Sequence, residues 1–99
     1  MPTAHYPSLK DRVVIITGGG QALGRTYAHE FAAQGAIPVI AEINEENGHR
    51  VVKEIEQKGG RAISIRTNVA SEADASAMAE AALSAVGRID CLINNAAVF

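Results

Sequence analysis

The sequence is short of almost everything that would mark a secreted, membrane-bound or nucleic-acid-binding chain. Its one cysteine, Cys91, can form no internal disulfide. No apolar run approaches the length that spans a bilayer, and the opening "MPTAHYPSLKDR" lacks the apolar core of a secretory signal. The expectation is a cytoplasmic protein with no membrane partner. Neither sign of charge dominates: 9 Lys and Arg stand against 11 Asp and Glu, a net charge of −2, which offers no footprint for a nucleic acid. The three histidines, His5, His29 and His49, have no Cys, Asp or Glu at ligand spacing, so no metal site is expected.

What is present is the composition of a packed domain. At 99 residues and 47% hydrophobic content, the chain is one small domain or part of one. Strand-like and helix-like segments alternate without an internal linker. Val13 to Ile16 is a continuous apolar run, as in a strand buried on both faces. Arg25 to Gln34 reads as a helix with Ala28, Phe31 and Ala32 on one side and Gly35 just past its end. Ile37 to Ile43 is a second strand, with Pro38 tolerated near its start. A helix from about Glu45 to Lys58 carries Val51, Val52 and Ile55 on its apolar side. Ala62 to Arg66 alternates like a strand near a sheet edge. The third helix has a shortened capping box in Ser71 and Asp74, repeats Met78, Ala82 and Val86, and stops at Gly87. Ile89 to Ile93 is the fourth strand, and Cys91 within it reads as a small buried hydrophobe.

Such an order, β-α-β-α-β-α-β, makes right-handed crossovers and predicts an α/β fold: the amino-terminal half of a Rossmann-like, doubly wound parallel sheet. Ligands of such sheets bind beyond the carboxyl ends of the strands. Thr17 to Gly24, Glu42, Asn68 and Asn94 to Ala97 all fall there.

In "VVIITGGGQALGRTYA", Val13 to Ala28, a strand enters a helix through small residues, an arrangement that exposes the helix's first N–H groups to a phosphate. The plain G-x-G-x-x-G fingerprint fails, because its third glycine would fall on Leu23. The spacing that fits is T-G-x-x-x-A-x-G, from Thr17 and Gly18 through Ala22 to Gly24. A glycine-rich connection without a ligand is the alternative at this point.

These residues resemble the opening of a classical short-chain dehydrogenase/reductase. Thr17, Gly18 and Gly24 match that family's T-G-x-x-x-G-x-G, with Ala22 replacing the middle glycine. "CLINNAAV" is similar to its N-N-A-G motif, with Ala97 in place of glycine, and "TNVA" to its D-V pair, with Asn68 in place of aspartate. The resemblance runs from about Leu9 onward. It implies an arm at 1–8 and, over 9–99, the cofactor-binding part of a single domain. It also implies NAD, held by Gly18, Gly20, Gln21, Ala22, Leu23 and Gly24 at the pyrophosphate. Glu42 and Ile43 would serve the adenosine ribose, Asn68 and Val69 the adenine. Asn94, Ala96 and Ala97 complete the set, Ala97 close to a ribose. Glu42 lies 18 residues after Gly24, near the spacing at which a carboxylate accepts from ribose hydroxyls and repels the extra phosphate of NADP. Ala22 is compatible with binding if its φ is negative, and Arg25 is expected to meet solvent or a carboxylate.

The family's chemistry rests on a serine and a Tyr-x-x-x-Lys pair. The one Tyr-x-x-x-Lys spacing here, Tyr6 to Lys10, lies in the arm ahead of the first strand and not in the later part of the chain where the family carries its pair, so no catalytic residue is assigned. The resulting expectation is an amino-terminal fragment of an NAD-dependent oxidoreductase that interconverts an alcohol and a ketone. Its partners would be the remainder of the same polypeptide, a small-molecule substrate, and further copies in a homo-oligomer. The rival readings are a non-catalytic dinucleotide-sensing or structural module and, third, a sheet that binds S-adenosylmethionine.

Overall fold

A computed structural model describes residues 9–20 and 22–95. Four strands and three helices alternate: β1 Val13–Thr17, α1 Ala22–Ala33, β2 Ile37–Glu42, α2 Glu45–Gln57, β3 Ile63–Arg66, α3 Glu72–Val86 and β4 Cys91–Asn94. All pairings are parallel and the strand order is β3-β2-β1-β4. The chain therefore winds outward from β1 to β3, then crosses back to the other side of β1. The reversal between β1 and β4 opens the crevice in which such sheets bind ligands.

Both faces of the central strands are covered, which is why β1 and β2 are apolar without alternation. Val14, Ile16 and Ile40 pack with Ala28, Val51 and Ile55 beneath α1 and α2. Val13, Ile15, Val39 and Ala41 pack with Met78 and Ala82 of α3. Pro38 costs the sheet nothing. Its neighbour Ile37 donates to Arg12 O on the β1 side, and pairing with β3 begins only at Val39.

Several boundaries differ from the sequence reading. α1 starts three residues earlier than Arg25, because Gly24, a poor helix former, lies within its first turn. β2 stops at Glu42, leaving Ile43 exposed, because the Glu42 carboxylate turns back to accept from Asn44 N–H at 3.3 Å. β3 begins at Ile63, and Lys58 caps α2. β4 begins at Cys91 and runs to Asn94, opposite Thr17. In front of it, Asp90 donates its N–H to Val13 O and accepts Val13 N–H at 2.8 Å.

Two further expectations are corrected. Cys91 is exposed, since among the described residues β4 pairs on one side only, and Leu92 beside it is 59% exposed. The capping box at α3 is half-formed. Ser71 Oγ accepts from Asp74 N–H at 3.2 Å, but the Asp74 carboxylate reaches Asn68 N–H at 2.9 Å instead of returning to Ser71. Gly35 and Gly87 do end α1 and α3 in the left-handed conformation, with φ of 85° and 78°.

Among the described residues no helix is long and apolar enough to cross a membrane. Nor does any group of three His, Cys, Asp or Glu there have the arrangement to hold a metal ion.

Candidate dinucleotide site

The carboxyl ends of β1, β2 and β4 converge on the glycine-rich turn. Gly18 leaves β1 with a φ of 66° and donates to Ala41 O at 2.8 Å, which folds the turn over β2. A Cβ on Gly24 would lie 2.3 Å from Gly18 O and 2.8 Å from Asn95 Nδ2. Only glycine lets α1 abut the turn it grows from. A Cβ on Gly20 would lie 2.8 Å from both Glu42 Cγ and Asn47 Cβ, so Gly20 is packed between β2 and the first turn of α2.

The three helix starts are chemically distinct. α2 is capped by Asn44, which accepts from Asn47 N–H at 3.0 Å, and has Glu45 and Glu46 in its first turn. α3 has Ser71 as its cap, with Glu72 and Asp74. α1 alone has no acidic residue in its first turn. An anion at its start meets N–H groups and the positive end of the helix dipole without repulsion from a carboxylate of the helix's own first turn. The cradle that a Cβ would fill, and this acid-free start, fit a pyrophosphate.

Ala22 departs from expectation: its φ is +50°, where a negative value was required for alanine to fit easily. The turn passes straight into α1 at this residue, and the reversal demands a left-handed residue, for which a methyl group is unfavourable. Ala22 and Leu23 are both exposed at the helix start.

Glu42 is 3% exposed. Its Oε2 accepts from Gly20 N–H at 3.1 Å and its Oε1 from Asn44 N–H, so the carboxylate is held between the turn and the start of α2. Asn68 and Val69 are half-buried beyond β3. The Asn68 side-chain oxygen accepts from Ala70 N–H at 3.1 Å, and its backbone carbonyl accepts from Ser71 N–H.

Asn94 joins the site through a residue omitted from the sequence-based set. Thr17, 5% exposed, donates from Oγ1 to Asn94 Oδ1 at 3.0 Å and accepts there from Asn95 N–H at 2.9 Å. Thr17 and Asn95 thus clasp β1 to β4 beneath the turn. Both stand inside the quoted motifs, and a buried hydroxyl at a strand end was the available signal. Gln21, Ala96, Ala97 and the arm at 1–8 lie outside the described residues.

Arg25 points away from the turn. Its guanidinium makes two 2.8 Å contacts with Glu54 of α2, and His29 Nε2 meets the same carboxylate at 2.8 Å. Hydrogen bonds from Arg25 and then His29 hold the Glu54 carboxyl at about 2, below its ordinary 4.5. At the opposite end of the sheet, hydrogen bonds from Arg88, Val13 N–H and Arg12 hold Asp90 well below the usual carboxylate range.

This geometry has close counterparts. The chain is 42% identical over 88 residues to 7alpha-hydroxysteroid dehydrogenase of Escherichia coli K12, covering 89% of this chain and 34% of that protein. A crystal structure of hydroxysteroid dehydrogenase from Escherichia coli superposes with a TM-score of 0.88 at 41% identity, over 91% of this chain and 38% of the other. A 7alpha-hydroxysteroid dehydrogenase complexed with NADH and 7-oxo glycochenodeoxycholic acid gives 0.83 at 40% identity, over 85% and 33%. The chain thus spans about a third of the length of these relatives. Residues 12–99 match the family described as short chain dehydrogenase. Because that match runs from the start of β1 through the whole sheet and the turn that defines the site, the chain belongs to the short-chain dehydrogenase family.

Proposed function

We propose that the chain is the dinucleotide-binding part of an NAD-dependent oxidoreductase that interconverts an alcohol and a ketone. The observation that carries this reading is the buried Glu42 carboxylate, held against Gly20 beside an acid-free helix start. A pyrophosphate at Gly18, Gly20, Ala22, Leu23 and Gly24 puts the adjoining ribose within reach of Glu42, with Ile43 exposed beside it. The NADH complex of a relative that is 40% identical supports the same class of cofactor. When bound, the nicotinamide supplies or accepts the hydride.

This chain's own residues bind and orient. Tyr27 packs against the core under α1 and takes no part in proton transfer. The acid and base are contributed from outside residues 9–95, by the remainder of the same polypeptide, and the whole works as a cytoplasmic homo-oligomer.

Glu42 sets the cofactor choice. Its carboxylate accepts from ribose hydroxyls and repels a phosphate on the same ribose, so NADH binds about tenfold tighter than NADPH, about 1.4 kcal/mol. Titrating both cofactors into the protein and into Glu42→Ala checks it. Equal affinities in the wild type, or an unchanged preference in the variant, would refute the assignment.

A further inference from the structure

We infer that Asn68 makes the base site a hydrogen-bond donor where a carboxylate would make it an acceptor. The site then binds a 6-keto purine dinucleotide about as tightly as the 6-amino one. The inference rests on the dinucleotide reading above and adds what the base subsite selects.

The strand order places the subsite. β1, β2 and β3 are consecutive neighbours, and Glu42 pairs with Arg66 in register, two residues before Asn68. A ligand with its pyrophosphate at the turn after β1 and its ribose at the end of β2 carries its base onward to the end of β3. Asn68 stands there, half-buried.

The orientation of the Asn68 amide follows from its partner. Ala70 N–H is a donor, so the atom 3.1 Å away is the side-chain oxygen, and the Nδ2 group is the end left for another partner. Nδ2 has no partner among the described residues. The two backbone groups of Asn68 are already engaged, its N–H by Asp74 Oδ2 at 2.9 Å and its carbonyl by Ser71 N–H at 3.0 Å. These contacts hold the turn so that the NH2 group is what Asn68 presents.

An amide NH2 only donates. Adenine offers it ring-nitrogen acceptors next to the amino group. Hypoxanthine offers a keto oxygen in place of that amino group, so both bases satisfy the donor. A carboxylate at the same position discriminates, because it accepts from the amino group and is repelled by the keto oxygen. The side-chain oxygen of Asn68, the only acceptor its amide could offer an adenine amino group, is engaged by Ala70 N–H.

The test is a binding titration of the protein with NADH and with reduced nicotinamide hypoxanthine dinucleotide, followed by calorimetry or nicotinamide fluorescence. The expected dissociation constants agree to within about threefold in the wild type. Asn68→Asp reopens a preference for NADH of about tenfold or more, the effect of one charge-assisted bond. NADH binding about tenfold tighter in the wild type overturns the inference and leaves the dinucleotide reading standing. A selectivity unchanged in Asn68→Asp removes Asn68 from the base subsite. Failure of both dinucleotides to bind removes the dinucleotide reading and the inference with it. If Asn68→Asp does not fold, the wild-type comparison decides by itself.

Discussion

At the carboxyl ends of the strands, backbone packs on backbone. α1 crosses Gly18 at Gly24, Gly20 lies between Glu42 and Asn47, and the buried Thr17 hydroxyl joins β1 to β4. At the amino ends the same strands are tied by exposed ions: Asp90 takes Arg12 at 3.1 Å and Arg88 at 2.7 Å, and Asp11 pairs with Arg61. The first kind of contact has no room for an added atom. The second tolerates changes of shape but depends on pH and salt. A site that must hold a ligand in one geometry is built from the first kind, and a surface that only has to stay folded makes do with the second.

Gly24→Ala should break this contrast most sharply. With its Cβ 2.3 Å from a backbone oxygen, α1 must shift, at a cost of about 3 kcal/mol. A thermal melt should show the loss, and NADH titration of whatever protein folds should show no binding. A variant that binds and melts like the wild type would mean that the close approach of α1 to the turn is misjudged. Thr17→Val ranks next. It leaves Asn95 N–H without its 2.9 Å acceptor and should cost about 2 kcal/mol in a denaturant melt, with the α1 face otherwise intact.

Ala22→Gly acts in the opposite direction. A φ of +50° strains alanine, so glycine should stabilise the protein by about 1 kcal/mol and bind NADH at least as well. A lowered melting temperature would show that the methyl group makes compensating contacts.

The smallest effect belongs to the ion pairs and sharpens the contrast through pH. Glu54 and Asp90 both titrate below their ordinary values in the folded protein. Each therefore adds stability that is complete above the ordinary carboxylate range and is lost as pH falls. For Glu54 the loss runs from about 4.5 down to about 2. Melts between pH 7 and pH 2.5 on wild type and on Glu54→Gln with Asp90→Asn should converge towards the acid end. At neutral pH the double variant should retain NADH affinity, since neither residue touches the turn.

Much of this was legible in the chain. Every strand and helix was placed, because the elements show an unbroken apolar run, as in β1, an alternation, as in β3, or a helical repeat, as Met78 and Ala82 in α3. The first turn of α1 was hidden because Gly24 is there for contact with Gly18 and not for helix propensity. Ser71 and Asp74 read as a reciprocal pair since spacing says nothing about which backbone N–H a carboxylate will find. Cys91 looked buried because an apolar strand carries no mark of having, among the described residues, a neighbour on one side only.

Local patterning, then, determined the order of elements, the parallel sheet and the convergence of Gly18, Glu42, Asn68 and Asn94 at its carboxyl end, because periodicity and crossover handedness are properties of short segments. Tertiary structure decided the rest: the positive φ of Ala22, the Thr17 clasp on Asn94 and Asn95, the burial of Glu42 against Gly20, and which end of the Asn68 amide is left for another partner. The Thr17 clasp and the Glu42 contact join donors and acceptors from different strands and turns, and such partners are chosen by geometry in space, on which neighbouring residue types are silent.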